Sequence, residues 1–361
     1  MNNISLKTIA TDGKARFNEV NINGKNFQTP SFMPVATRGS IKSLPLDYLK
    51  KTDVLLANTY HLFLRPGLDV IKEFDGLHNF IGWDKLILTD SGGFQGWSIP
   101  NKFKEDGIEF KNIYDGSKFF MDPILSMDIQ NTLNSDIAMI LDSLVDIDKD
   151  YDNQLQSINI TKKWAEIARN YHSNEKQSLF GIVQGGKFNE LREKSALDMT
   201  SLDFDGYAIG GLAIGETPTE RKNIVDYTVD MLPEDKLRYV MGLGDIEGML
   251  ELIELGIDIF DCVWPARLAR HGKIINKSKF FNLKNSQYKN SNEALVIDCE
   301  CYVCINFSKA YLRHLLINES TSSWFYLTLH NIYQTENILS EVRKSILNSE
   351  LENNKESILD G

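Results

Sequence analysis

No stretch of the 361-residue chain stays apolar for long enough to span a membrane. Its opening, Met1-Asn2-Asn3-Ile4-Ser5-Leu6-Lys7, has no apolar core of signal-peptide length either. Internal repeats and low-complexity linkers are also missing. Cysteine is scarce, with 4 residues in all, and three of them fall together as Cys299-x-Cys301-x-x-Cys304. Cysteines gathered this way, rather than spread as a disulfide framework, point to a reducing compartment, and cytoplasm is the expectation. Positive charge is in deficit: 39 Lys and Arg stand against 50 Asp and Glu, a net charge of −11. On charge alone this argues against a nucleic-acid partner, because phosphate binding is driven by Lys and Arg. Locally the balance reverses. From Arg267 to Lys289 the chain carries Arg267, Arg270, His271, Lys273, Lys277, Lys279, Lys284 and Lys289 without one acidic residue, which suggests a partner surface.

What is present begins with the cysteines. Phe307, Ala310, Tyr311, His314 and Leu315 have helical spacing, so a helix is expected between Cys304 and the segment bearing His330. Three thiolates and an imidazole are the donors of a tetrahedral zinc site. Four protein ligands (Cys299, Cys301, Cys304 and His330) leave no position for water. One structural Zn2+ per subunit is therefore expected, in a small subdomain at about 290–340 within a single domain over 1–361. A zinc hydrolase is disfavoured, since it needs an open coordination position.

Short apolar runs recur at Val54–Leu56, Leu86–Leu88, Ile137–Leu141, Leu179–Val183, Tyr207–Ile209, Tyr239–Met241 and Ile257–Phe260. They read as strands buried on both faces, with amphipathic patterns such as Asn159–Tyr171 and Glu247–Leu255 between them. The alternation predicts an α/β fold, an irregular (β/α)8 barrel carrying the zinc subdomain, with a doubly wound sheet as the rival. Polar residues and glycines follow successive runs: Asp90-Ser91-Gly92-Gly93, Asp142, Gln184-Gly185-Gly186, Gly210-Gly211-Leu212, Gly242-Leu243-Gly244 and Asp261. The C-terminal ends of barrel strands are where such enzymes place their active sites. Beyond the last run, Asn276–Asn292 reads as an excursion from the barrel, and residues from about Asn348 onward as a frayed helix end.

Two aspartates stand out. Asp90 precedes a glycine turn that lets a ligand approach the backbone. Asp261 ends a very apolar strand and is followed by Arg267 and Arg270. A carboxylate in a dry barrel mouth can act as a nucleophile or a general base. Asp258 fits a structural part better, and Cys262 fits a small buried thiol better than a nucleophile. Trp97 and Met241 could sandwich a flat heterocycle, while Asp142, Gln184 and the Gly211-Leu212 backbone offer groups suited to a purine edge.

Taken together the motifs resemble the tRNA-guanine transglycosylase family along nearly the whole chain. They are Thr29-Pro30-Ser31-Phe32-Met33-Pro34-Val35, Asn58-Thr59-Tyr60-His61-Leu62, Asp90-Ser91-Gly92-Gly93-Phe94-Gln95, Gly181-Ile182-Val183-Gln184-Gly185-Gly186, Gly210-Gly211-Leu212-Ala213-Ile214-Gly215-Glu216, Phe260-Asp261-Cys262-Val263 and the Cys3His set. The resemblance implies a homodimer acting on the anticodon loop of tRNA, exchanging the wobble guanine of U-G-U for a 7-deazaguanine base on the way to queuosine. Asp261 would be the nucleophile and Asp90 the general acid/base. Ser91, Asp142, Gln184, Gly211 and Leu212 would hold the base between Trp97 and Met241, and Arg267, Arg270 and Lys273 would hold RNA phosphates. A non-catalytic RNA-binding subunit of a heteromeric transglycosylase is the alternative, and the presence of both Asp90 and Asp261 speaks against it.

The chain departs from the family's bacterial pattern near the pocket. Gly96 and Trp97 stand where Val and then Phe, Tyr or Met are usual, and Ser143 and Leu144 where Glu and Cys are usual. Ala57 replaces a Gly and Ala266 a Thr. Ile214 is close to the bacterial Val, whereas the eukaryotic enzymes have a Gly that admits queuine. On that residue 7-aminomethyl-7-deazaguanine is the expected incoming base, with queuine the second choice.

Overall fold

The structure, a computed structural model, describes residues 3–98 and 101–360. Met1, Asn2 and Gly361, at the ends of the domain expected over 1–361, lie outside the described residues.

Eight parallel strands form the centre: Ser31–Pro34, Val54–Ala57, Leu86–Thr89, Ile137–Met139, Ser178–Val183, Gly206–Ile209, Leu237–Val240 and Ile259–Cys262. In that order they are the first to eighth barrel strands. Each pairs with its sequence neighbour from the second strand to the eighth, and the eighth pairs with the first. A parallel bridge from Val35 to Leu56, with Ala36 N–H donating to Leu56 O at 2.7 Å, closes the ring. The (β/α)8 barrel read from the sequence is therefore the fold. Nearly every strand residue is buried, as a sheet covered inside by packed side chains and outside by helices requires.

Aspartate and threonine start several of the outer helices. Asp122 caps Pro123–Leu133, Asp150 caps Tyr151–Tyr171, Asp245 caps Ile246–Ile253, and Thr217 forms a reciprocal capping box with Glu220 on Pro218–Val229. A three-stranded antiparallel sheet (Ile4–Asp12, Ala15–Ile22, Lys25–Thr29) covers the N-terminal end of the barrel. Its Arg16 ion-pairs with the fully buried Asp258, which also accepts from Asn18 Nδ2 at 2.8 Å and Arg238 N–H at 2.8 Å. This is the structural part read for Asp258.

A second antiparallel sheet (Asn101–Lys104, Gly107–Lys111, Lys118–Met121) follows the third strand. The expected excursion after the eighth strand includes a hairpin, Lys273–Asn276 with Lys279–Asn282. The helix expected after Cys304 spans Lys309–Asn318, and the 28-residue helix Ser320–Leu347 carries His330. The frayed end expected from Asn348 is not seen. A separate helix, Leu351–Leu359, docks there: Leu351 and Ile358 are buried, Leu351 N–H donates to Asp12, and Ser278 Oγ donates to Leu359 O. Two apolar side chains at helical spacing hold this helix despite its polar composition.

Among the described residues no helix is long and apolar enough to cross a membrane.

Candidate active site at the barrel mouth

Asp261 is the next-to-last residue of the eighth strand and is buried. Its Oδ1 accepts from the Tyr239 hydroxyl at 2.6 Å and from Gly242 N–H at 2.8 Å. Among the described residues nothing donates to Oδ2. Burial pushes the pKa of Asp261 up, and the Tyr239 and Gly242 hydrogen bonds pull against that. The carboxylate is thus fixed by one oxygen and free at the other.

Asp90, at the end of the third strand, faces the same mouth with part of its surface open. Thr59 N–H donates to Oδ1 at 2.9 Å and Asn58 Nδ2 donates to Oδ2. Asn58 also caps the helix Thr59–Leu64, accepting from His61 N–H with its other side-chain atom. The protein surrounding the Asp90 carboxyl pushes its pKa up to about 7; hydrogen bonds from Thr59, Gly92 and Asn58 oppose this, and the Asp261 charge adds to it. Two carboxylates with different anchorage share one cleft, so one can be held as an anion while the other exchanges a proton near neutral pH.

Beside them lies a polar recess. Asp142 Oδ2 accepts from Gln184 Nε2 at 2.6 Å, and burial raises the Asp142 pKa to about 6. Gly93 is required here: a Cβ on it would sit 2.5 Å from Asp142 Oδ1. Ser91 Oγ accepts from Gly93 N–H at 3.2 Å, which shapes the turn. Gly211 has φ +71°, and a side chain there would press on Gln184 Oε1 at 2.7 Å. The structure therefore brings Asp90, Ser91, Asp142, Gln184 and Gly211 around one mouth with Asp261. Leu212 is buried in the same loop, and Glu216 holds that loop by accepting from Ala213 and Ile214 N–H at 2.7 and 3.1 Å.

Trp97 is exposed on the helix Gly93–Ser98, its ring 5.7 Å from that of Phe94. Met241 is half-buried at the end of the seventh strand. Gly96 has a packing reason: a Cβ there would meet Ile108 Cδ1 at 2.4 Å, so the following sheet fills the space. Ser143 is buried, its backbone N–H donating to Thr161 Oγ1 at 3.0 Å and its carbonyl accepting from Ser157 Oγ. Cys262 has its thiol pushed up to about 12 by burial, which removes it as a nucleophile.

Two residues of the site were not singled out from the sequence. Tyr239 lies inside an apolar strand and gave no signal of its own. Arg192 is fully buried on the helix Asn189–Thr200. It donates to Gly186 O at 2.9 Å, Val183 O at 3.1 Å and Gly210 O at 2.9 Å. One side chain thus ties the loop bearing Gln184 to the loop bearing Gly211, and a single Arg in an amphipathic helix pattern does not announce this.

After the eighth strand the helix Trp264–Arg270 presents Arg267 to solvent, while Arg270 is half-buried and donates from Nη1 to Ala266 O at 3.1 Å. Lys273 lies 4.5 Å from the centre of the Phe280 ring. Behind them stands the cysteine cluster. The ligand atoms of Cys299, Cys301, Cys304 and His330 lie within 4.8 Å of one another. His330 Nδ1 is 3.9, 3.4 and 3.4 Å from the three sulfurs, and its Nε2 is 3.0 Å from Ile275 O. That outer hydrogen bond fixes the tautomer which leaves Nδ1 free to bind a metal. The cluster can hold a metal ion. The neighbouring Asn331 donates to Pro265 O and Lys273 O and accepts from Ile275 N–H, at 3.0, 3.0 and 2.9 Å, so the metal helix braces the segment after Asp261.

A closed parallel barrel with two dissimilar carboxylates and a polar recess at its C-terminal mouth has the architecture of a barrel enzyme, and its Cys3His cluster, which could hold a metal ion, lies apart from those carboxylates. The sequence profile of the family described as queuine tRNA-ribosyltransferase matches residues 12–361. Queuine tRNA-ribosyltransferases of Natranaerobius thermophilus, Bacillus subtilis and Thermotoga petrophila are 41%, 42% and 44% identical to this chain. The matches cover 94%, 92% and 93% of this chain and 94%, 88% and 92% of those proteins. The chain belongs to this family, the tRNA-guanine transglycosylases, which are pentosyltransferase enzymes.

Proposed function

We propose that the protein exchanges the wobble guanine of U-G-U anticodon loops in tRNA for a 7-deazaguanine base by double displacement. The observation that carries this reading is the pairing of Asp261, anchored at Oδ1 and free at Oδ2, with Asp90, whose pKa stands at about 7. Asp261 Oδ2 attacks the ribose anomeric carbon and the glycosidic bond to guanine breaks, its electron pair leaving with the base, which takes the proton of protonated Asp90 and departs neutral. A covalent ester joins enzyme and RNA. Asp90 then takes the proton from the ring nitrogen of the incoming base, that nitrogen bonds to the anomeric carbon, and Asp261 departs. Two inversions give net retention, as in retaining glycosidases. A base with pKa near the working pH suits Asp90's part.

Ser91, Asp142, Gln184, Gly211 and Leu212 read the base, and Trp97 and Met241 flank it. Arg267, Arg270 and Lys273 hold RNA phosphates. The bound metal is Zn2+, one per subunit, and its role is to brace the helix Ser320–Leu347 rather than to react. The subunits pair as a homodimer, and the zinc subdomain spans about 290–340. Ile214 favours 7-aminomethyl-7-deazaguanine over queuine.

The test is incorporation of labelled guanine, 7-aminomethyl-7-deazaguanine and queuine into a U-G-U stem-loop, run side by side. Preference for the aminomethyl base supports the reading. Incorporation of none of the three by zinc-loaded dimer would overturn it in favour of an RNA-binding subunit.

A further inference from the structure

Arg221 is a buried cation with too few partners. It is the fourth residue of the helix Pro218–Val229, whose start is fixed by Pro218 at the first position and by the Thr217–Glu220 capping box. Its own N–H donates to Thr217 O at 2.9 Å, so the cap sets where its side chain leaves the helix. Only 9% of the residue is exposed. Among the described residues its buried Nε finds no hydrogen-bond partner. Its one ion pair there is long, with Nη1 3.9 Å from Glu216 Oε1. A guanidinium left in that condition is costly, and plain packing would be better served by an apolar side chain.

The guanidinium meets two loops of the mouth. On one side is Glu216, whose side chain is buried and accepts from Ala213 and Ile214 N–H. Those bonds hold Ala213 at φ +57°, a left-handed conformation that a residue with a Cβ adopts at a cost. On the other side is the first turn of the helix Ile246–Ile253. A Cβ on Gly248 would meet Arg221 Nη2 at 2.9 Å and the Asp245 carboxylate at 2.7 and 2.9 Å, so a glycine lets the guanidinium lie against this turn beside its capping aspartate. Asp245 closes the segment Gly242-Leu243-Gly244, and Gly242 N–H donates to Asp261. Glu216 also acts on Arg192: burial pushes the Arg192 pKa down, and the Glu216 charge pulls it back up. One buried carboxylate is thus shared by two buried guanidinia. Each has a nitrogen, Arg192 Nη2 and Arg221 Nε, without a partner among the described residues.

We propose that Arg221 is a positioning residue for base exchange, which fixes the Gly211–Glu216 loop through Glu216 and keys it to the helix turn that follows the Gly242 anchor of Asp261. This rests on the proposed reaction and adds to it a residue that acts through Glu216 rather than by contact with the base. Pairs that are long in an unliganded site tighten when the reacting complex forms. The Arg221–Glu216 pair shortens as the base orders the loop, and Glu216 then holds the Ala213 and Ile214 amides in register with the loop that anchors the nucleophile.

The test is a double-mutant cycle on the full-length zinc-loaded protein, read by exchange of labelled guanine into a U-G-U stem-loop. Methionine keeps an unbranched apolar stem without the charge, and Arg192 still faces Glu216 in that variant, so the carboxylate is not left without a cation. Arg221→Met is expected to raise KM for guanine about tenfold while stem-loop affinity holds. In the Glu216→Gln background the same change should have no further effect on KM. Arg221→Lys keeps the charge but not the fork, and should raise KM only about threefold, again not in the Glu216→Gln background. It carries the cycle on its own if the methionine variant does not fold. Wild-type KM in these variants, an equal rise in the Glu216→Gln background, or a matching loss of stem-loop affinity each overturns the proposal and leaves Arg221 as a packing residue. A wild type that exchanges no guanine overturns the reaction and this inference together. That result is distinct from a wild type and an Arg221→Met variant that exchange it equally well.

Discussion

The Tyr239 hydroxyl donates to Asp261 Oδ1 at 2.6 Å across the seventh and eighth barrel strands, with Gly242 N–H on the same oxygen. The phenol is buried and its own pKa lies well above the ordinary value, so it remains a donor throughout the working pH range. A hydrogen bond to a charged group contributes about 1.5–3 kcal/mol. Tyr239→Phe is therefore expected to lower the rate of glycosidic bond cleavage about 10- to 100-fold and to move the acid limb governed by Asp261 to higher pH. Single-turnover rates against pH read both; a variant with wild-type rate and limb would contradict the role.

In the proposed reaction Asp90 takes the proton of the incoming base, which requires its deprotonated form, and burial puts its pKa at about 7. Attachment of the incoming base to the preformed ester should rise about tenfold per pH unit below that value and level off above it. Rapid-quench attachment rates from pH 5 to 9 give the profile. A flat profile, or one that persists in Asp90→Asn, would remove Asp90 from the step.

Arg192 holds the loop of Gln184 to the loop of Gly211 through three carbonyls, the two loops proposed to read the base. Lysine is a point charge on a flexible stem and cannot span that fork. Arg192→Lys should raise KM for the base about tenfold or more while the affinity for the stem-loop holds. Equal losses of both would mean that the arginine merely supports the barrel.

Glu336 is fully enclosed, accepts from Thr52 Oγ1 at 3.0 Å, and has its pKa raised to about 8 by burial. A folded pKa above the unfolded value of 4.5 means that the folded state holds its proton to higher pH. The associated stability is full below pH 4.5 and is lost as pH rises through 8, at up to ~1.4 kcal/mol per pH unit in that window. Glu336→Gln removes the penalty. Its Tm should exceed that of the wild type at pH 8.5 and the gap should close toward pH 5; parallel Tm curves would show that Glu336 does not titrate in this range.

Removing the metal should act through Asn331. That side chain ties the helix carrying His330 to Pro265, Lys273 and Ile275. Chelation, or Cys301→Ser, is expected to lower metal content, soluble yield and stem-loop affinity together. A stable, metal-free Cys301→Ser protein that binds RNA normally but is inactive would contradict a bracing role.

Much of this was legible because both-face burial leaves a continuous apolar run. Seven of the eight barrel strands and the polar residues at their ends show in that way. The first strand, Ser31–Pro34, does not, because it is short and ends in proline. The N-terminal sheet was missed for a different reason: its first strand is largely exposed, and its alternation is broken by a register shift between Thr8 and Ala10. Asp90 and Asp261 stood out because a carboxylate after an apolar strand is chemically costly. Tyr239 and Arg192 did not, since a tyrosine in a strand and an arginine on a helix are ordinary until their partners are known.

The most direct measurement is trapping of the ester between RNA and protein. Wild-type enzyme incubated with a labelled U-G-U stem-loop and quenched in denaturant should give a covalent RNA–protein band, and added free base should chase it into product. Asp261→Asn should give neither band nor exchange. Base exchange by Asp261→Asn at near the wild-type rate would contradict the account at its centre.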